Sequence, residues 1–156
     1  MLLIPHSRSS IESHVFTRPA IAICIAYPTG RMHRVFGSEF LLSTHRERFS
    51  DCLEDGTWCF PDHKGGREAV PMTLAQAHAI VDFVEEWKDK VEEIHAGCQG
   101  GVSRSTGVLA GLAELYNWDC DHLYAMVKRA DGSSTQRKPN PWARGLIVKA
   151  GRELRG

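Results

Sequence analysis

The stretch Ala20-Ile21-Ala22-Ile23-Cys24-Ile25-Ala26 constrains the fold of this chain more than any other. It has no polar position, and it is closed off by Pro19 and by the Pro28-Thr29-Gly30 turn. A strand with one wet face alternates apolar and polar residues, whereas an unbroken apolar run must be covered on both faces. The run is far too short for a bilayer, which needs about 20 apolar residues in a helix. It predicts a buried central strand.

Around that strand the periodicities change. Ala77, Ile80, Val81, Val84, Trp87 and Val91 recur at helical spacing. Thr73 and Gln76 form a capping-box pair ahead of them, so a helix is predicted over Thr73–Lys88. Its outer face carries Asp82, Glu85, Glu86 and Asp89, a solvated surface. A short strand is expected over Val91–Ala96, then a glycine-rich loop from Gly97 to Gly101, then a helix over Ser103–Tyr116 with Val108, Leu109, Leu112 and Leu115 facing inward. A further strand is expected near Phe40–Leu42. Another helix is expected from an Asp119 cap to Asp131-Gly132, and a last one over Pro141–Ala150 behind Asn140. The stretch from Asp51 to Pro71, rich in Gly, Pro and Asp, is expected to be a long irregular connection of functional character. Together these predict an α/β fold, a single domain over 1–156 with a central, mostly parallel sheet flanked by helices.

The chain has 156 residues, with 19 basic and 19 acidic side chains. A zero formal charge argues against a general electrostatic grip on nucleic acid or on an anionic membrane, and neither partner is expected. The cysteines Cys24, Cys52, Cys59, Cys98 and Cys120 are odd in number and widely spaced, with no zinc-knuckle or redox pair. A reducing, cytoplasmic setting fits them best, and no signal peptide is read at the N-terminus.

The chemistry concentrates in His95-Ala96-Gly97-Cys98-Gln99-Gly100-Gly101-Val102-Ser103-Arg104-Ser105-Thr106. A cysteine ends a predicted strand and an arginine opens a helix. Backbone N–H groups of Gln99, Gly100, Gly101, Val102 and Ser103 can converge on one anion, helped by the positive end of the helix. That field favours the Cys98 thiolate, which is the nucleophilic form, and Arg104 offers a planar fork for two phosphate oxygens. Cys98 would attack phosphorus in line while Arg104 and the loop amides stabilise the equatorial oxygens. Ser105 can donate to the departing sulfur, and Ser103 braces the loop. No lysine precedes the hydroxyl residues, which excludes a nucleotide-binding phosphate loop, and the glycines lack dinucleotide spacing. No metal or other cofactor is required. His33, His45 and His122 show no metal spacing, and His78 reads as structural.

Cys98, Gly101, Ser103, Arg104 and Ser105 follow the order Cys, two residues, Gly, two residues, Arg, then Ser or Thr. In this the chain resembles the protein tyrosine phosphatase superfamily. Its layout from about Ala20 to Lys149 is similar to the compact dual-specificity branch and to small bacterial and phage proteins of that type. The resemblance implies a cysteine-phosphatase-like fold and a phosphocysteine intermediate, with a phosphorylated protein or a small aryl phosphate as substrate. It also implies a nucleophilic Cys98, a phosphate-binding Arg104, and a Ser105 that assists thiolate departure. The family usually has histidine directly before the nucleophile. Here that position is Gly97 and the nearest histidine is His95, read either as its substitute or as an ordinary strand residue. A histidine placed at position 97 is expected to restore the family arrangement if the strand end has room. The same thiolate also fits a phosphate-binding module without turnover, or a sulfur-transfer or arsenate-type enzyme.

The leaving oxygen needs a proton, which an aspartate on the long connection can supply. Asp62, beside Pro61 as in the family's acid loop, is the first candidate, ahead of Asp55 and Asp51. His63, Lys64 and Arg67 either widen a basic rim or are plain loop polarity. The basic C-terminal third is read as ordinary surface or as a preference for anionic partners. Asn140 is read as an N-cap or as a brace beneath the phosphate loop.

Overall fold

A computed structural model describes residues 1–59, 68–129 and 131–156. Four parallel strands form one sheet in the order β1-β4-β2-β3, with β1 at Leu2–Ser7, β2 at Ala20–Ala26, β3 at Leu41–Arg48 and β4 at Glu93–Cys98. The helices are α1 (Arg8–Ser13), α2 (Leu74–Trp87), α3 (Arg104–Tyr116) and α4 (Pro141–Arg155). A small antiparallel hairpin, β5 (Met126–Lys128) with β6 (Ser134–Gln136), stands apart from the main sheet. The molecule is a single α/β domain, as its pattern predicts.

The apolar run behaves as its lack of polar positions requires. Side chains alternate across a strand, so Ile21, Ile23 and Ile25 enter the larger core with Ile80, Val84, Leu109, Leu112 and Ile147 of α2, α3 and α4. Ala20, Ala22 and Cys24 face the other way, against Ile11 of α1 and Phe16. The large side chains therefore face three long helices, and the small ones face a thin cover of one short helix and loop. Each fully buried isoleucine contributes about 1.5–3 kcal/mol of burial free energy.

The capping box at α2 is formed: Thr73 Oγ1 accepts from the Gln76 N–H at 3.1 Å, and Gln76 Oε1 accepts from the Thr73 N–H at 2.9 Å. Gln76 Nε2 also donates to the Arg48 carbonyl at 2.9 Å, which fastens the start of α2 to the end of β3. The strand expected near Phe40–Leu42 extends instead to Arg48. It is an edge strand, and its polar residues Ser43 to Arg48 supply the charge that discourages edge pairing while hiding its strand character from a hydrophobicity reading.

The helix expected from Asp119 to Gly132 is not present. Asp121–Tyr124 is a single 3-10 turn, followed by β5 and its hairpin. Of that turn only Leu123 is buried, and Met126 is 62% exposed, so the segment lacks the apolar stripe that holds a helix onto a core. The last helix begins at Pro141 behind Asn140 as expected, and continues to Arg155. Among the described residues, no helix is long and apolar enough to cross a membrane.

Candidate active site

Cys98 is the last residue of β4, and Arg104 is the first of α3. The loop between them is held by β1, which pairs with β4 so that His6 lies opposite Gly97 and Ser7 opposite Cys98. Gly101 sits at φ +68°, and a Cβ there would stand 2.6 Å from the Ser7 nitrogen and 2.7 Å from the His6 carbonyl carbon. Only glycine satisfies both the backbone angle and the close approach. Gly101 thus fixes the loop to β1, whereas Gly100 and Gln99 are exposed at its crest.

At the base of the loop, Cys98 Sγ and Ser105 Oγ are 3.3 Å apart, and both residues are buried. The thiol donates to the hydroxyl in the neutral state; once the thiolate forms, the hydroxyl is placed to donate to it. Ser103 precedes α3 without a side-chain cap, so its hydroxyl does not cover the first amides of the helix. That hydroxyl donates instead to Asp51 Oδ1 at 2.6 Å. Asn140 Nδ2 donates to the same oxygen at 2.9 Å, and the Asn140 N–H donates to the Ser103 carbonyl at 2.9 Å. Asn140 Oδ1 meanwhile accepts from the Ala143 N–H at 3.0 Å. Asn140 is therefore both the cap of α4 and the brace beneath the loop.

Arg104 is only 3% exposed. Its Nη1 donates to the Phe49 carbonyl at 3.0 Å, and its guanidinium lies 4.1 Å over the Tyr27 ring. One edge of the fork is thus fixed and one face covered. The cleft above has a volume of about 850 Å³ and is lined by the loop, Tyr27, Asp51, and Lys128, Arg129 and Arg137 from around the hairpin. Three residues of the basic C-terminal third therefore border this cleft rather than forming scattered surface. Tyr27, Phe49 and Arg137 have no motif signal in sequence, because only the fold brings them to the loop.

The rival acids separate by position. Asp55 is fully exposed and accepts from the Thr57 N–H at 2.9 Å, a turn contact that holds its carboxyl below the usual range. Asp51 is committed to Ser103 and Asn140. Asp62, His63, Lys64 and Arg67 lie outside the described residues. Among the other cysteines, burial pushes Cys24 up to about 11, and burial followed by the nearby Asp51 carboxylate pushes Cys59 up to about 12, which keeps both as thiols. No cysteine is paired in a disulfide.

Of the two readings of His95, the ordinary strand residue fits the structure, and the condition set for a histidine at position 97 is not met. Alternation along β4 turns His95 and Gly97 away from the face that carries Cys98. His95 bonds to His6, with Nδ1 2.7 Å from His6 Nε2, and does not replace the family histidine. Nor does position 97 have room for one, since a Cβ there would lie 2.8 Å from Ile11 Cγ2 and 3.3 Å from Ile11 Cβ. Ile11 is fully buried and cannot swing aside. Gly97→Ala should destabilise the fold by about 1–3 kcal/mol, and Gly97→His by more. Urea unfolding checks this, and an Ala variant with the wild-type midpoint and slope would show that α1 yields at no cost.

No family model, curated protein or solved structure matches the chain.

Proposed function

We propose that this protein is a cysteine-dependent phosphomonoesterase, acting on protein phosphotyrosine or related aryl phosphates through a phosphocysteine intermediate. The observation that carries the reading is the Cys98–Ser105 pair at 3.3 Å, set one loop away from a buried Arg104 at the start of an uncapped helix. A nucleophile and a held cationic fork thereby line one cleft, with a hydroxyl for the leaving thiolate buried beside the sulfur.

In the first half-reaction Cys98 Sγ forms a bond to phosphorus as the ester P–O bond breaks, and Asp62 gives its proton to the leaving oxygen. In the second, water attacks phosphorus and passes a proton to Asp62. The S–P bond breaks, and Ser105 donates to the released thiolate. Arg104 and the loop amides hold the equatorial oxygens throughout. The Tyr27 wall gives an aryl ring a surface, and Lys128, Arg129 and Arg137 favour acidic residues beside the phosphorylated one.

The test is to trap the intermediate. Asp62→Asn should slow thiolate-phosphate hydrolysis by about 10²–10⁴-fold, the usual contribution of an acid–base group. With p-nitrophenyl phosphate, whose leaving group needs little protonation, that variant should give a burst of p-nitrophenol. On acid quenching it should carry one phosphoryl group on the Cys98 peptide. Turnover without any phosphorylated Cys98 peptide, under conditions where the burst is complete, would remove the covalent mechanism.

A further inference from the structure

The face of the sheet that turns away from Cys98 holds three histidines from three segments. His6 comes from β1, His95 from β4, and His14 directly follows α1. The three ligand-capable ring nitrogens lie within 4.8 Å of one another. We propose that His6, His14 and His95 form a zinc site, closed by a fourth ligand from solvent on the half-exposed His14 side.

The outer partners of the rings support this. His6 Nδ1 is 2.7 Å from Ser10 Oγ, and His95 Nε2 is 3.2 Å from Glu93 Oε1. Those contacts turn His6 Nε2 and His95 Nδ1 toward each other, beside the His14 ring that packs on both. A ligating imidazole whose other N–H meets a carboxylate or hydroxyl is the usual arrangement behind metal-binding histidines. In the metal-free protein His95 donates through Nε2 to Glu93 and accepts at Nδ1 from His6 Nε2–H. Binding moves the His6 proton to Nδ1, where it donates to a Ser10 hydroxyl that can rotate. Both inner lone pairs then face the ion, with no net change in the protons carried by the rings.

Glu93 is 91% buried by residue area, and its carboxylate meets the His95 ring, so a cation at the inner nitrogens offsets its charge. The fit needs only small adjustments. Tetrahedral zinc at about 2.0–2.1 Å from each nitrogen spaces the ligands about 3.4 Å apart. The His6–His95 pair, at 2.7 Å, must part slightly, and the third nitrogen must close in. His14, on a loop and half-exposed, can do so by turning its side chain. Three imidazoles with one open position suit zinc or cobalt better than calcium or magnesium, which take oxygen ligands.

The sequence gives no warning of this cluster, because the three histidines follow no zinc spacing and only the β1–β4 pairing unites them. The site would clamp β1, the end of α1 and β4 together directly behind the phosphate loop. It is independent of the phosphatase reading, and its test involves no turnover.

The experiment uses untagged, chelator-dialysed protein carrying Cys98→Ser, so that the reactive thiol cannot compete for the ion. Zinc titration against a chromophoric chelator should show one ion per chain with submicromolar affinity. His14→Ala should weaken binding at least tenfold, and Ser10→Ala by about tenfold. Both positions lie at the edge of the cluster, and circular dichroism verifies their folding. Cobalt(II) should give the visible bands of a tetrahedral nitrogen site without a sulfur charge-transfer band. Zinc affinity unchanged by both substitutions, a sulfur-ligated cobalt spectrum, or no stoichiometric binding would each overturn the proposal.

Discussion

Cys98→Ser should lower turnover of p-nitrophenyl phosphate by at least about 10⁴-fold, the scale on which removing a covalent nucleophile acts, while inorganic phosphate still binds. The two halves of this expectation rest on different atoms. Turnover needs the sulfur, because a serine hydroxyl at position 98 would still carry its proton, and the Ser105 hydroxyl beside it is no base. Anion binding needs Arg104 and the loop, and none of their supports involves the sulfur. Arg104 rests on the Phe49 carbonyl and the Tyr27 ring, Ser103 on Asp51, and Gly101 against the backbone of β1. Steady-state kinetics and phosphate calorimetry on the same preparation measure both. Near-normal turnover would end the covalent mechanism, and loss of binding along with turnover would mean that the sulfur holds the loop together.

The parts of this protein that can be read from sequence are those whose physics is local. Cys98 to Ser105 is one contiguous segment, so strand end, loop and helix start are fixed within a few residues of one another. Ala20–Ala26 signals its own burial because no position in it can face water. Thr73 with Gln76, and Asn140 with Pro141, mark helix starts through bonds that span three residues. The supports of the site are different. Asp51 meets Ser103 and Asn140 only because three separate segments converge, and nothing in the spacing of those residues encodes the meeting. Asp51 could thus be taken for a rival acid when its carboxylate serves as a brace. β1 escapes notice because Pro5, His6 and Ser7 break its apolar pattern, yet its pairing with β4 sets the position of the loop. The hairpin of β5 and β6 is equally hidden: its strands are three residues each and mostly exposed, and its role at the cleft comes from Lys128, Arg129 and Arg137 rather than from burial.

Arg104→Lys should retain the positive charge and still lose most of the activity, with kcat for aryl phosphate falling about 10²–10³-fold, the cost of removing one transition-state donor. A guanidinium has five N–H donors in one plane. Here Nη1 is committed to the Phe49 carbonyl at 3.0 Å and one face covers Tyr27 at 4.1 Å, so the plane of the fork is fixed where Arg104 lines the cleft. An ammonium group has no plane to lay on Tyr27, and it cannot reach the Phe49 carbonyl and two phosphate oxygens together. The loss should fall mainly on kcat. Phosphate monoester in the ground state is already anionic and is attracted by either cation, whereas the trigonal transition state requires donors at defined equatorial positions. Tyr27→Leu separates the two supports: it removes the stacking surface but leaves the fork and the Phe49 bond, and a cation–π contact of about 0.5–1 kcal/mol corresponds to a loss of about two- to fivefold. Steady-state kinetics on the three proteins, with thermal melts to verify folding, should therefore rank wild type above Tyr27→Leu and both far above Arg104→Lys. A fall of less than about fivefold in Arg104→Lys would show that charge alone suffices at this position. The planar fork, and with it the transition-state role given to Arg104, would then be wrong.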